Sequence, residues 1–299
     1  MRRALVIVRA GDTSLHEGWL AGPEDRTWDL LVSYFGDDPQ RFRGEDVRRI
    51  DAKGPKWPAL HALVRELADE IGAYDYVWLP DDDLACDKET INRLFAMCRE
   101  HRLELAQPAL SPTSHLGHAI TLRNRSFRLR FTNFVEVMAP CFSADFLRRC
   151  APSFGENISG WGLDYLWPSW ASDAGRVAII DAAIIRHTRP VGGPNYRVLT
   201  ERGITARDEL LQLAAKYGIR AAARFVTGGI TLDGRHLSAS DGSHPALVAE
   251  LIAGYLPELG GNAPELLRLI EPSLALLPPA VWVPEQYHAA PAPPGPTAL

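Results

Sequence analysis

The chain is poor in cysteine and lysine and has no long apolar run. Four cysteines, Cys86, Cys98, Cys141 and Cys150, stand in 299 residues without a CxxC pair. Neither a disulfide framework nor a cysteine zinc site is therefore encoded. Reduced, packed cysteines point to a cytoplasmic protein. Lysine occurs only at Lys53, Lys56, Lys88 and Lys216, and the net charge is -5. That balance gives no global attraction to nucleic acid, which is excluded as an expected partner. No stretch approaches the roughly 18 apolar residues of a membrane span. The first apolar run, Ala4 to Val8, is ended by Arg9 and is too short for a secretory signal.

What is present is a strand-and-helix alternation. Ala4 to Val8 and Asp29 to Phe35 read as buried strands, and Pro58 to Ile71 carries apolar residues at helical spacing. The apolar run Tyr76 to Pro80 reads as a further strand, and Asp87 to His101 as an amphipathic helix. This order predicts a mixed, mainly parallel α/β sheet flanked by helices. After Leu105 the pattern becomes α+β. Arg125 to Phe131 alternates, with Arg128 and Arg130 on the polar face, where they form a solvated stripe or an anion site. Phe134 to Met138 and Val177 to Ile185 read as strands, and Phe142 to Cys150 as a short helix. Helices are expected over Thr205 to Tyr217, His244 to Tyr255 and Ala263 to Ile270. The expected organisation is a catalytic domain over 1–203, a helical extension over 204–275 and a Pro/Ala-rich tail over 276–299.

Three segments carry chemistry. The first is Asp81-Asp82-Asp83, at the end of the apolar strand. Adjacent carboxylates repel, a divalent cation relieves the repulsion, and oxygen donors suit Mg²⁺ or Mn²⁺. The same triplet is compatible with a solvated turn. The second is Ser159-Gly160-Trp161-Gly162-Leu163-Asp164, where two glycines allow a tight backbone approach to a ligand. The simpler reading is a turn whose Asp caps the next helix. The third is His187-Thr188-Arg189-Pro190, after the late strand. Here a His can ligate a metal and an Arg can bind phosphate.

In this order the three segments resemble the nucleotide-sugar glycosyltransferases of the GT-A fold, with Asp81 to Asp83 as the DXD motif. More narrowly, the chain resembles the DUF707 family over roughly Leu5 to Gly203. The segments carrying that resemblance include Lys53 to Trp57, Leu79 to Leu84, Gln107 to Leu110, Phe134 to Pro140, Gly160 to Asp164 and His187 to Pro190. The resemblance implies a nucleoside-diphosphate sugar donor, a hydroxyl acceptor that is a glycan or small molecule, and Mn²⁺ or Mg²⁺. By the same resemblance Asp83, Asp81 and His187 hold the metal. Asp81, Lys56, Arg9 and Asp12 line the nucleotide. Asp164 is the general base of an inverting reaction, and Trp161, Gly162, Glu136 and Arg189 contact substrate. Trp57 reads equally well as core, and His115 and His118 as exposed loop residues. Two other readings stay open, a sugar-phosphate nucleotidyltransferase and a non-catalytic carbohydrate-binding protein. The single glycine and missing lysine in Arg9 to Thr13 argue against the first, and the intact acids against the second. The C-terminal helices are expected to buttress the domain, form a homodimer or touch a membrane surface.

Overall fold

The computed structural model describes residues 3–44, 47–190, 194–219 and 223–275, with backbone only for 194–197. The Pro/Ala-rich tail from 276 and Val191 to Gly193 lie outside the described residues. The chain opens with β1 (Ala4–Ala10), β2 (Asp29–Tyr34), β3 (Arg48–Asp51), α1 (Lys56–Glu66), α2 (Ala68–Ile71) and β4 (Tyr76–Trp78). Every residue of β1 and β4 is buried, as expected of strands covered on both faces. β1 pairs in parallel with both β2 and β4, and β2 with β3. Consecutive β1 residues feed opposite cores. Val6 and Val8 pack with Trp78 and Leu94, and Leu5 and Ile7 pack with Leu60 and Phe146.

The middle of the chain adds β5 (Leu84–Ala85), α3 (Lys88–Glu100), β6 (Leu105–Leu110), β7 (Phe127–Thr132), β8 (Cys141–Ser143), α4 (Ala144–Phe154), α5 (Leu163–Trp170) and β9 (Val177–His187). Asp87 caps α3 by accepting from the Thr90 N–H at 2.8 Å. Here the sheet turns mixed. β6 pairs β9 in parallel, whereas β4–β8, β6–β8, β7–β9 and β5–β9 are antiparallel. The predicted strand Phe134 to Met138 is instead a turn. Its carbonyls at Val137 and Met138 serve Lys56 and the Asp81 N–H rather than a ladder. The helix expected from Phe142 begins at Ala144, because Cys141 to Ser143 are drawn into the sheet between β4 and β6.

The last elements are α6 (Pro194–Glu201), α7 (Ala206–Tyr217), β10 (Val226–Thr231), β11 (His236–Ser238), α8 (His244–Tyr255) and α9 (Ala263–Leu274). The sheet runs β11-β10-β7-β9-β6-β8-β4-β1-β2-β3, with β5 joined to β9. The protein is thus a mixed α/β fold with a large central sheet flanked by helices. The region 204–275 corrects the expectation of a helical appendage. Its β10 and β11 extend the central sheet, and α8 and α9 close a third core over Phe127 and Ile179.

Arg130 explains that integration. The predicted polar face of β7 is solvated only in part. Arg130 is fully buried and bidentate to Asp181 at 2.8 and 2.9 Å. It also donates to the Tyr255 hydroxyl of α8 and to the Ile120 and Leu122 carbonyls. Asp181 reaches it from a register shift in β9, where the β6 partners jump from Ile180 to Ile184. Arg125 and Arg128 pair with Glu258 and Glu100. A buried ion pair fully satisfied in this way fixes register more than it adds stability.

Candidate functional site at the strand ends

The three aspartates leave β4 at the carboxyl edge of the sheet, and each acquires a different partner. The backbone there is fixed: the Leu79 N–H donates to Pro140 O at 2.9 Å and the Asp81 N–H to Met138 O at 2.8 Å. Asp81 accepts from Lys56 Nζ at 2.6 Å, and that ammonium also donates to Val137 O at 2.9 Å. Burial pushes the Asp81 carboxyl up, and the Lys56 charge opposes the rise. Asp82 accepts from the Gly11 N–H at 2.8 Å and from Arg189 at 3.2 Å. It therefore stitches the β1 loop and the segment after β9 to the triplet.

Asp83 is the member left open. It is buried, its Oδ1 has no partner, and its Oδ2 lies 3.4 Å from His187 Nε2. The His187 Nδ1 faces the His115 carbonyl at 2.7 Å. That bond orients the ring and directs Nε2 toward Asp83, the arrangement of a metal-ligating histidine. Burial alone opposes protonation of His187. The bonds to Asp83 and the His115 carbonyl, with the charges of Asp83 and Asp81, outweigh it and raise the imidazole to about 9.

An orphaned carboxylate oxygen beside an oriented imidazole fits a divalent cation. Among the described residues no group of three or more His, Cys, Asp and Glu side chains is arranged to hold one. Asp83 and His187 would supply two ligands to such a cation, and a hard cation with so few protein ligands takes the rest from phosphates and water. Asp81, expected as a third ligand, is engaged by Lys56.

The second acid group lies on the Gly-Trp-Gly turn. Gly160 and Gly162 have φ of 92° and 95°, the left-handed region. A Cβ on Gly160 would collide with the Trp57 indole. Asn157 holds the turn from inside, accepting from the Gly160 N–H and donating to Trp161 O at 2.8 Å. Glu209 of α7 holds it from outside, accepting from the Ile158 and Ser159 N–H groups at 2.8 Å each. The turn delivers Asp164 into the first turn of α5, buried. Burial pushes its carboxyl up to about 7, against hydrogen bonds from the backbone at Gly162 and the charge of Arg224. Trp161 is 43% exposed on the same turn.

Glu136 comes from the turn that replaced the predicted strand. Its N–H donates to Gln107 Oε1 at 2.6 Å, and its Oε2 is buried without a partner. Burial and the Asp164 charge drive this carboxyl up to about 8, with Asp81 adding to the rise and His187 and Arg224 opposing it. Asp81, Glu136, Asp164 and His187 thus share one field. The structure brings together the Asp81–Asp83 triplet, the Gly-Trp-Gly acid and the late histidine, which are far apart in sequence.

Other expected site residues are built into the scaffold. Arg9 spends its guanidinium on Ser33 Oγ at 2.9 Å and on the Ala52 and Gly54 carbonyls at 2.7 Å each. Asp12 accepts from the Tyr34 hydroxyl and the Asp37 and Asp38 N–H groups. These two form the rim where a nucleotide was expected, with most of their polar atoms already committed. Arg189 bridges Asp82 to Thr13, donating to Thr13 O at 2.6 Å. Trp57 is core, edge-on to Phe154 and Trp167. His115 is exposed as expected. His118 instead packs edge-on to Phe134, and burial lowers it to about 4.

Three supporting residues were given no site role from the sequence. Gln107 is a polar residue inside an apolar strand, a signal that was legible. Glu209 follows the Thr205–Asp208 capping box of α7, which accounts for the acids there without invoking a site. Arg224 lies in an Arg/Ala-rich stretch and gave no signal at all.

A family model described as "Protein of unknown function (DUF707)" matches residues 60–210, about half the chain. The chain belongs to the DUF707 family. The DUF707 match contains the triplet, Glu136, Asp164 and His187, while Lys53 to Trp57 fall just before it. Two solved structures resemble this DUF707 protein remotely. One, from Desulfovibrio desulfuricans G20, is provisionally assigned as a nucleotide-diphospho-sugar transferase. It is 12% identical with a TM-score of 0.39, and the match covers 72% of this chain and 96% of that one. The other is glucosyl-3-phosphoglycerate synthase from Mycobacterium tuberculosis, solved with Mn²⁺, UDP-glucose and phosphoglyceric acid. It is 14% identical with a TM-score of 0.44, and the match covers 75% of this chain and 86% of that one. Likenesses this remote describe shape alone. No curated protein matches the chain. Among the described residues no helix is long and apolar enough to cross a membrane.

Proposed function

We propose that this protein is a metal-dependent glycosyltransferase that moves a sugar from a nucleoside-diphosphate sugar to a hydroxyl acceptor. The observation that carries the reading is the unpartnered, buried Asp83 Oδ1 beside His187, in one field with Asp164 and Glu136. Asp83 and His187 hold Mn²⁺ or Mg²⁺. When bound, the cation neutralises the charge that develops on the departing diphosphate. Lys56 opposes the rise that burial gives Asp81 and adds positive charge at the nucleotide side. Trp161 and Glu136 contact the sugar or the acceptor.

Asp164 is the general base. The bond from the anomeric carbon to the diphosphate oxygen breaks, the bond to the acceptor oxygen forms, and the acceptor proton passes to Asp164. A base titrating near 7 suits that step at neutral pH. Displacement in one step inverts the anomeric centre. The test is a screen of sugar nucleotides for metal-dependent turnover, with product configuration read by NMR. Inverted product in wild type and a strongly reduced yield in Asp164→Asn is the expected result. Retained configuration would remove Asp164 from the role of base.

A further inference from the structure

Ala223 to Phe225 belong to no helix or strand, yet their backbone is held on both sides. Asn133 Nδ2 donates to Ala223 O at 2.9 Å and Asn133 Oδ1 accepts from the Phe225 N–H at 2.9 Å. Thr132 Oγ1 donates to Phe225 O at 3.0 Å, and Ser273 of α9 accepts from the Val226 N–H at 3.0 Å. Clamped in this way, Arg224 donates to the Tyr165 hydroxyl at 2.6 Å. Its guanidinium lies 5.5 Å from the centroid of Phe134. Tyr165 directly follows Asp164, Phe134 precedes Glu136 by two residues, and their rings meet at 5.6 Å. One cation therefore touches both segments that carry the buried acids. A guanidinium keeps its charge throughout the accessible pH range.

The surrounding groups make the bias asymmetric. Glu136 has two other carboxyl groups, Asp164 and Asp81, in its field beside His187 and Arg224. Asp164 feels Arg224 as its leading charge, with the backbone at Gly162 and Tyr165 as further donors. His118, beyond Phe134, is kept neutral by burial and by Arg224 itself.

We infer that Arg224 is a positioning residue: it ties the Tyr165 and Phe134 segments together and directs the negative charge of the Glu136/Asp164 pair onto Asp164. Its bearing on catalysis rests on the reading of Asp164 as base, but the charge placement is a property of the chain alone. The consequence is that the C-terminal region completes the site instead of merely supporting it.

The test is a carboxyl-carbon NMR titration of the full chain labelled in Asp and Glu, between pH 5 and 9. Asp164→Asn and Glu136→Gln assign the two signals. Arg224→Gln is expected to shift the Asp164 midpoint upward, and Arg224→Lys to return it toward wild type. An unchanged midpoint in Arg224→Gln overturns the inference. Should that variant fail to fold, Tyr165→Phe keeps the cation and removes its anchor. It is expected to raise the same midpoint, and an unchanged midpoint there also overturns the inference. No sugar nucleotide enters the measurement. A failed glycosyl-transfer assay therefore leaves this result standing, and a failed titration leaves donor and metal binding standing.

Discussion

The two halves of the site handle their acids in opposite ways. On the side of β1 and β4, each aspartate of the triplet faces a cationic or protonatable partner: Lys56, Arg189 or His187. On the side of the Gly-Trp-Gly turn, Glu136 and Asp164 are buried, and burial raises both carboxyls, with the Asp164 charge adding to the rise at Glu136. A carboxylate held by a cationic partner suits a fixed electrostatic task. Carboxyls that titrate near neutrality suit proton transfer. The contrast divides the labour of the proposed reaction between leaving-group stabilisation and base catalysis.

Substitutions should break this division selectively. The largest effect, on turnover and binding together, is expected from Asp83→Ala, which removes a ligand and leaves His187 without its acid. Turnover of a sugar nucleotide should fall by about 10²–10³-fold, the scale of a lost electrostatic stabiliser, with metal-dependent nucleotide binding lost in calorimetry. Asp164→Asn should lower turnover by roughly 10²–10⁴-fold while leaving metal and nucleotide binding as in wild type. Equal loss of binding in that variant would merge the two halves.

Lys56→Met tests the pairing itself. Asp81 would lose a charge-assisted bond worth about 1–3 kcal/mol, read as a lower unfolding midpoint in denaturant. The smallest effect separates the halves by pH. Glu136 and Asp164 titrate at about 8 and about 7 in the folded protein, above their ordinary values of 4.5 and 3.8. The folded state thus holds protons that the unfolded state releases, and their contribution declines as pH rises from about 4 to 8. Glu136→Gln should flatten that decline and stabilise the protein by on the order of 1 kcal/mol at pH 8. An unchanged slope of stability against pH would show that Glu136 is not the buried acid described.

The donor side was far more legible in the sequence than the other half. An apolar run ending in Asp81 to Asp83 states both the strand and the site, because burial and charge clash within eight residues. At Arg9 and Asp12 the sequence does not tell a ligand contact from the backbone and hydroxyl contacts they make, because a polar residue beside a strand end looks the same in either case. On the other side, Phe134 to Met138 alternates like a strand, but its carbonyls are claimed by Lys56 and Asp81 from distant segments. Arg130 looked like a solvated residue, since its partner Asp181 enters through a bulge that no local pattern announces. Arg224 depends wholly on tertiary contacts with Asn133 and Tyr165.

The account rests on Asp83 and His187 as a cation site that recruits a nucleoside diphosphate. Thermal unfolding of wild type and Asp83→Ala with UDP, GDP, ADP, CDP or TDP, with and without Mn²⁺, tests this most directly. The account predicts that at least one diphosphate raises the wild-type midpoint only when Mn²⁺ is present, and leaves Asp83→Ala unmoved. No shift with any diphosphate, or an equal shift in Asp83→Ala, would contradict it.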